Sequence, residues 1–386
     1  MKLYLCVMEN TQNNNIHKNQ IFPLVNESDK TILLFLAPFF ILTKKSFGIN
    51  RQHYNDKKVH HIRIPLFSYN FSMNPFIFPW LLLFSIPFVI FFVLKYKIKE
   101  VHARNHLSAV TAVIIKKLFK NIKILSDFRG LYAEEGVILG RWKYDSLRFK
   151  FWKYIEKVIC KNSDVVTTIS HNMTQYISET YNVTNAHFVP AIVDTNKFYF
   201  SSHLREKFRE ENNILKDEVV FIYIGSFGLW HDVPNFYKYI EEYLTNFNIE
   251  KYRVYILSNI NEKHHKNLHD KHKTIISSVQ PNMVNKYLCG ADIGILPGTE
   301  KEGREFDMMY KTMISSKLEE YLCTGLKVIV NQRIEEVCEM ISMDFSEYPI
   351  IQDNLTREQI SNKYQKIFSA KNIKELYKKL FSEGKI

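Results

Sequence analysis

The chain has 386 residues, 46% hydrophobic and 24% charged, which excludes a disordered protein and exceeds one ordinary core, so two domains are expected. Its net charge of +12 favours an anionic partner. No RNA-binding, helix-turn-helix or zinc-finger pattern accompanies that charge, so a membrane surface or a phosphorylated substrate is expected rather than nucleic acid.

Lys2–Met8 reads as a first buried strand, followed by the polar loop ENTQNNN. The apolar start turns polar after Val7, too soon for a signal peptide, and the five cysteines are scattered without a CxxC. A reduced, cytoplasmic chain is the expectation. Further strands are predicted at Thr31–Phe40, Val59–Phe67, Glu100–Arg104, Lys123–Asp127 and Asp164–Ser170, with helical spacing over His106–Phe119. This alternation predicts a parallel sheet covered on both faces, with ligands at the carboxyl ends of its strands.

Pro75–Leu94 is twenty uncharged residues interrupted by Pro75, Pro79 and Pro87. It is long enough to span a bilayer, but one crossing would put its flanking strands on opposite sides of the membrane, so a span is rejected. Two readings stay open: a helix buried against the sheet, or an apolar face dipping into an anionic inner leaflet with Lys95, Lys97 and Lys99 at the headgroups.

Two strand ends carry unusual polar residues. VHARNH places His102, Arg104 and His106 at one, and SDFRGLYAEEG places Asp127, Arg129, Glu134 and Glu135 at the next. Ser201–Glu218 reads as a charged helical connection to a second alternating domain, which opens with a strand at Val219–Ile224. That strand runs into a turn with Gly225, Ser226 and Gly228, whose backbone N–H groups can approach a pyrophosphate because neither glycine has a Cβ; His231 follows as a phosphate neighbour. Strands are predicted at Arg253–Leu257, Thr274–Ser277, Asp292–Leu296 and near Pro349–Ile351. Pro297–Lys311 reads as a mobile loop over a ligand, with Arg304 as a phosphate contact. His264, His265, His269 and His272 have one helical pair but no acidic or cysteine partner, and no Asp-x-Asp occurs, so no metal and no cofactor are expected.

The most informative stretch is Ser315–Asn331, SSKLEEYLCTGLKVIVN. Leu318, Tyr321 and Leu322 mark a helix face, Gly325 a C-cap and Lys327–Val330 a buried strand; the serines at the helix start, with Lys317, make a seat for a phosphate. SKLEEYLCTG followed by an apolar strand resembles the donor-site segment of family 4 glycosyltransferases, especially bacterial enzymes of capsular and cell-surface polysaccharide. The resemblance runs from Val101 to Phe198 and from Val219 to Val330, and includes the Asp127–Gly130 segment and the passage through Pro190, Asp194 and Phe198. It implies a GT-B fold: two doubly wound parallel-sheet domains facing a central cleft, an acceptor domain over 1–200, a nucleotide-sugar domain over 201–369, and a helix over 370–386 packing back on the first. It implies that Glu320 holds the nucleotide ribose and that Ser316 and Lys317 lie beside the diphosphate. Within the segment that carries the resemblance, Asp127 is expected as base or acceptor holder and Arg129 against the departing diphosphate or a charged acceptor; His102, Arg104 and Glu134, from the two polar strand ends, are expected near the acceptor. A second glutamate of the family's commoner form is Thr312 here.

The function so implied is transfer of a sugar from a nucleotide-sugar to a lipid-linked or oligosaccharide acceptor, without metal, in the cytoplasm or at the inner face of the plasma membrane. Two alternatives stay open, a GT-B-shaped sugar-nucleotide epimerase and a catalytically silent scaffold of a polysaccharide assembly complex.

Overall fold

The structure is a computed structural model that describes residues 1–8, 20–24, 30–40, 59–66, 78–225, 227, 231, 233–258, 274–299, 301–312, 314–330 and 355–383. It divides into two compact units. The first comprises Met1–Pro190, Arg304–Met313 and Ile373–Ile386, and the second Ala191–Gly303 and Ile314–Asn372.

The first unit is built on β1 (Lys2–Val7), β2 (Thr31–Phe40), β3 (Val59–Leu66), β4 (Glu100–Arg104), β5 (Lys123–Asp127), β6 (Val165–Thr168) and β7 (Ala186–Phe188). They form a seven-stranded sheet in the order β3-β2-β1-β4-β5-β6-β7, with every pairing parallel. Leu3, Leu5, Leu34, Val101 and Ile124 are fully buried, the near-continuous apolar pattern of strands covered on both faces. Each such side chain contributes roughly 1.5–3 kcal/mol of burial.

Between the strands lie α1 (Phe78–Tyr96), α2 (Asn105–Leu118), α3 (Tyr132–Ile138), α4 (Leu147–Asn162) and α5 (His171–Tyr181). Asn105, where β4 turns into α2, has φ of 64°, a left-handed conformation asparagine tolerates. Its Oδ1 accepts from the Ser108 N–H at 3.0 Å and its Nδ2 donates to the Val7 carbonyl at 3.2 Å, tying the tip of β1 to the helix start.

Helix α1 turns Leu81, Ser85, Val89, Phe92 and Val93 inward. Because β3 and β4 on either side of it lie in one sheet, α1 is a crossover helix and crosses no bilayer.

The second unit has α6 (Ser202–Glu211), β8 (Val219–Ile224), α7 (Val233–Asn246), β9 (Tyr252–Leu257), β10 (Thr274–Ser277), α8 (Val284–Gly290) and β11 (Ile293–Leu296). Beyond residue 303, α9 (Arg304–Thr312) is followed by α10 (Ser316–Cys323), β12 (Lys327–Val330), α11 (Arg357–Phe368) and α12 (Ala370–Glu383). The second sheet is also parallel throughout, ordered β10-β9-β8-β11-β12. Gly325, at φ of 68°, ends α10, and a Cβ there would lie 2.1 Å from the Arg357 carbonyl oxygen.

Three expectations differ from the structure. Residues 304–312 form a helix instead of a loop, because Phe306, Met309 and Tyr310 give it one apolar face, which is buried. The connection expected over Ser201–Glu218 is helical only to Glu211. The units divide after Pro190 rather than at residue 200, and Arg304–Met313 is counted with the first. The ENTQNNN loop, the histidine cluster and the strand near Pro349–Ile351 lie outside the described residues.

Candidate functional site

In the first unit, strand register assembles a polar row. Cys6 is aligned with Arg104, Arg104 with Asp127, and Asp127 with Thr167, so four adjacent strands put these side chains on one face near their carboxyl ends. His102, two residues before Arg104, shares that face. The Asp127 carboxylate accepts from Arg129 Nε at 2.9 Å and from the Thr167 hydroxyl at 3.0 Å; His102 Nε2 stands 3.6 Å away and Arg104 Nη1 3.9 Å. Arg129 also donates to the Tyr377 hydroxyl at 3.4 Å, and the His102 ring lies between Tyr4 and Tyr377 at centroid distances of 4.3 and 4.6 Å. Residues 102, 104, 127 and 129 are therefore gathered in one place.

Electrostatics assign their states. Burial works to raise the Asp127 carboxyl, but the Arg129 guanidinium, the contact with His102 and Arg104 outweigh it and hold the group well below the usual carboxylate range. Burial pulls His102 down to about 4 against the pull of Asp127, so the imidazole is neutral at pH 7. Asp127 is thus a fixed anion that orients Arg129. Arg129 is the most accessible of the four, with 16% of its side chain exposed against 1% for Asp127.

Glu134 belongs to a separate buried cluster. Lys153 Nζ lies 2.6 Å from Glu156 and 3.1 Å from Glu134, and Tyr181 and Tyr176 donate to Glu156 and Glu134 at 2.6 and 3.1 Å. His106 Nε2 is 3.3 Å from Glu156, its ring stacked on Phe128. Glu134 Oε2 is buried without a hydrogen-bond partner. Burial and the neighbouring Glu156 and Glu134 push Glu135 up to about 7. Its carboxylate fills the space where a Gly130 Cβ would stand, which is why the turn after Arg129 carries a glycine.

In the second unit, β8 is followed by Gly225, which adopts φ of 115°. A Cβ there would lie 2.4 Å from Lys317 Cε, so only glycine lets the lysine lie against the strand end. Lys317 is in the first turn of α10, whose N-cap is Ser315; the Ser315 hydroxyl accepts from the Lys317 N–H at 3.4 Å, and Ser316 is the first helical residue. The ammonium lies 5.7 Å from the centroid of the buried Tyr223 ring. Burial lowers its pKa, opposed by Glu320 one turn along. The Tyr321 hydroxyl accepts from the Ile224 N–H at 3.1 Å and fixes α10 to β8.

His231 pairs its backbone with Gly298, and Asn235 donates to the Gly298 carbonyl at 2.7 Å, so the loops after β8 and β11 are joined. Burial, with Lys317 adding to it, lowers His231 to about 3, leaving a neutral ring whose Nδ1 is buried without a partner. Gly225, Lys317, Glu320 and His231 thus converge near the carboxyl end of β8. Ser226 and Gly228 lie outside the described residues. Arg304, expected with them, opens α9 in the first unit, over the Tyr144 ring at 4.6 Å and 3.9 Å from Asp145.

Several structured residues escaped sequence reasoning. Glu319, adjacent to the favoured Glu320, is buried and accepts from the Ala191 N–H at 3.1 Å, holding the turn after Pro190. Glu156 carried a readable signal, since it falls on the apolar stripe Trp152, Ile155 and Ile159 of α4, where a lone charge needs partners. Tyr377, far away in sequence, carried none.

Residues 47–197 match the model of Glycosyltransferase Family 4. No curated protein matches the sequence. Among solved structures, a sucrose-phosphate synthase from Thermosynechococcus elongatus aligns with a TM-score of 0.63 at 13% identity, covering 99% of both chains. HepE of Anabaena, in complex with UDP, aligns with a TM-score of 0.62 at 11% identity over 99% of this chain and 100% of its own. A glycosyltransferase from Rickettsia africae aligns at 0.58 and 16% identity, over 99% and 98%. With two all-parallel sheets, this likeness over its whole length and the match at residues 47–197, the chain is a glycosyltransferase of the GT-B fold that resembles Family 4.

Proposed function

We propose that the second unit binds a nucleotide-sugar and that the sugar passes to a lipid-linked or oligosaccharide acceptor held by the first, in the assembly of a surface polysaccharide. The observation that carries this reading is the close fit of Lys317 to Gly225 at the start of α10, which sets a cation and the amino end of a helix at one strand end. A diphosphate there meets both, and the charge that develops on it as the glycosidic bond breaks is stabilised without a metal ion. Glu320 accepts from the ribose hydroxyls. The neutral His231 ring, with an open acceptor nitrogen, suits a sugar hydroxyl better than a phosphate.

In the first unit, Arg129, oriented by Asp127, meets an anionic group of the acceptor, with His102 and Arg104 shaping the floor beneath it. A cytoplasmic location suits the buried cysteines Cys6, Cys160, Cys289 and Cys323, none of which is in a disulfide.

The test is calorimetric titration with a panel of nucleotides and nucleotide-sugars, UDP and UDP-glucose included, on the wild type and on K317M and E320A. Binding of one nucleotide class, weakened about tenfold or more in each variant, is expected. Unchanged affinity in both variants would remove the donor assignment. Product mass then separates transfer from isomerisation, because an epimerised donor keeps its mass.

A further inference from the structure

Among the described residues, one helical layer of the first unit has no partner on its outer face. α1, α2 and α4 lie side by side: Ser85 Oγ of α1 is 3.3 Å from Thr111 Oγ1 of α2, Lys116 of α2 donates to the Asn162 carbonyl of α4 at 3.3 Å, and Phe78 of α1 packs edge-on against Trp152 of α4. Helices in mutual contact occupy one face of a sheet, so the three form a single layer.

The polarity of α1 is inverted for a helix facing water. Its one hydroxyl side chain before Lys95, Ser85, is fully buried, while Leu83, Phe91 and Leu94 are 63%, 53% and 61% exposed. Pro79, Leu83, Pro87 and Phe91 recur every fourth residue, and Leu94 continues the stripe. A surface helix of a water-soluble protein turns its polar residues to this side. Covering the stripe would remove contiguous apolar surface from water.

Charge selects the cover. The stripe ends in the exposed Lys95, Lys97 and Lys99, with the Lys95 ammonium 5.2 Å from the centroid of the Phe91 ring. On α4, Lys150, Lys157 and Lys161 share one exposed face with Leu147 and Tyr154, which are 87% and 63% exposed. The only acidic residue of either helix, Glu156, is fully buried. A second copy of this chain would set lysines against lysines across a self-complementary contact. An anionic lipid surface takes apolar side chains and lysines together.

We infer that the outer face of this layer docks on an anionic bilayer, with Leu83, Phe91 and Leu94 entering the acyl boundary and the lysines of α1 and α4 lying among the headgroups. This inference is independent of which donor or acceptor the protein uses.

The test is flotation of the full chain with vesicles of phosphatidylcholine alone and of equal parts phosphatidylcholine and phosphatidylglycerol. The wild type is expected to float with the anionic vesicles and less so as salt is raised. L83E/F91E should lower partitioning at least tenfold. K150Q/K157Q/K161Q, confined to solvated positions, should lower it about fivefold per lysine on anionic vesicles and leave neutral vesicles unaffected. Circular dichroism and the thermal midpoint confirm folding, and the lysine variant decides the matter if the first is misfolded. Wild-type protein that stays unbound, variants that float as well as wild type, or a sedimenting dimer that L83E/F91E dissociates with no vesicle binding would each overturn the inference.

Discussion

Replacing Gly225 by alanine perturbs the proposed donor site through one methyl group. Two effects follow from the geometry. Positive φ at a residue with a Cβ costs about 1–2 kcal/mol, since Gly225 stands at 115°. The new Cβ would lie 2.4 Å from Lys317 Cε and 3.2 Å from Nζ, so the lysine must swing away. Its side chain is flexible and the fold survives, but the ammonium leaves the strand end. A charge-assisted contact to phosphate contributes about 1.5–3 kcal/mol, so nucleotide affinity should fall about ten- to a hundredfold while the unfolding free energy falls only by the backbone cost. A double-mutant cycle by calorimetry, using G225A, K317M and the pair, isolates the link. Because the methyl acts by moving the lysine, G225A should cost little further affinity once K317M is in place. Additivity of the two effects within about 0.5 kcal/mol would refute the reasoning, since it would mean that Gly225 acts on the ligand independently of Lys317.

Other outcomes are expected. His102 has a folded-state pKa of about 4 against an ordinary 6.5, so the folded state binds fewer protons over that window; its contribution is complete above about 6.5 and lost as pH falls toward 4, by about 3 kcal/mol. Urea unfolding of wild type and H102Q at pH 7 and pH 4 should show the gap between them narrowing by that amount, and a constant gap would contradict the assignment. K153M leaves Glu134 and Glu156 buried without their shared cation and should lower stability by about 3–5 kcal/mol, read as a lowered urea midpoint. E319A strands the Ala191 N–H and should cost about 1–3 kcal/mol of stability, whereas E320A should leave the thermal midpoint almost unchanged and weaken nucleotide binding. Equal behaviour of the two variants would undo the division of labour between the adjacent glutamates.

The strands were legible because parallel sheets buried on both faces read as short apolar runs: Thr31–Phe40, Glu100–Arg104, Lys123–Asp127 and Val219–Ile224 have the expected bounds. The helix, glycine and strand after Ser315 were legible for a similar reason, each part carrying its own local signal. What escaped depends on long-range placement. The passage around Arg304 looks like a solvated loop until Phe306, Met309 and Tyr310 are seen buried in the first unit. No local pattern announces that Tyr377 lies against His102 or that Glu319, not Glu320, holds the Ala191 turn. The uncharged run showed the apolar character of α1, but only exposure by position shows that Ser85 faces in while Leu83 and Leu94 face out.

The first unit is assembled from three separate lengths of chain, the last beginning at Ile373. During synthesis, the sheet of that unit is therefore finished long before the piece bearing Tyr377 leaves the ribosome, and until then the ring beside His102 and the hydroxyl that receives Arg129 are both missing. A nascent or clipped polypeptide ending before Ile373 would carry every strand of both sheets and still have an unfinished Asp127 pocket, so a functional first unit appears only when translation has passed through the final helix.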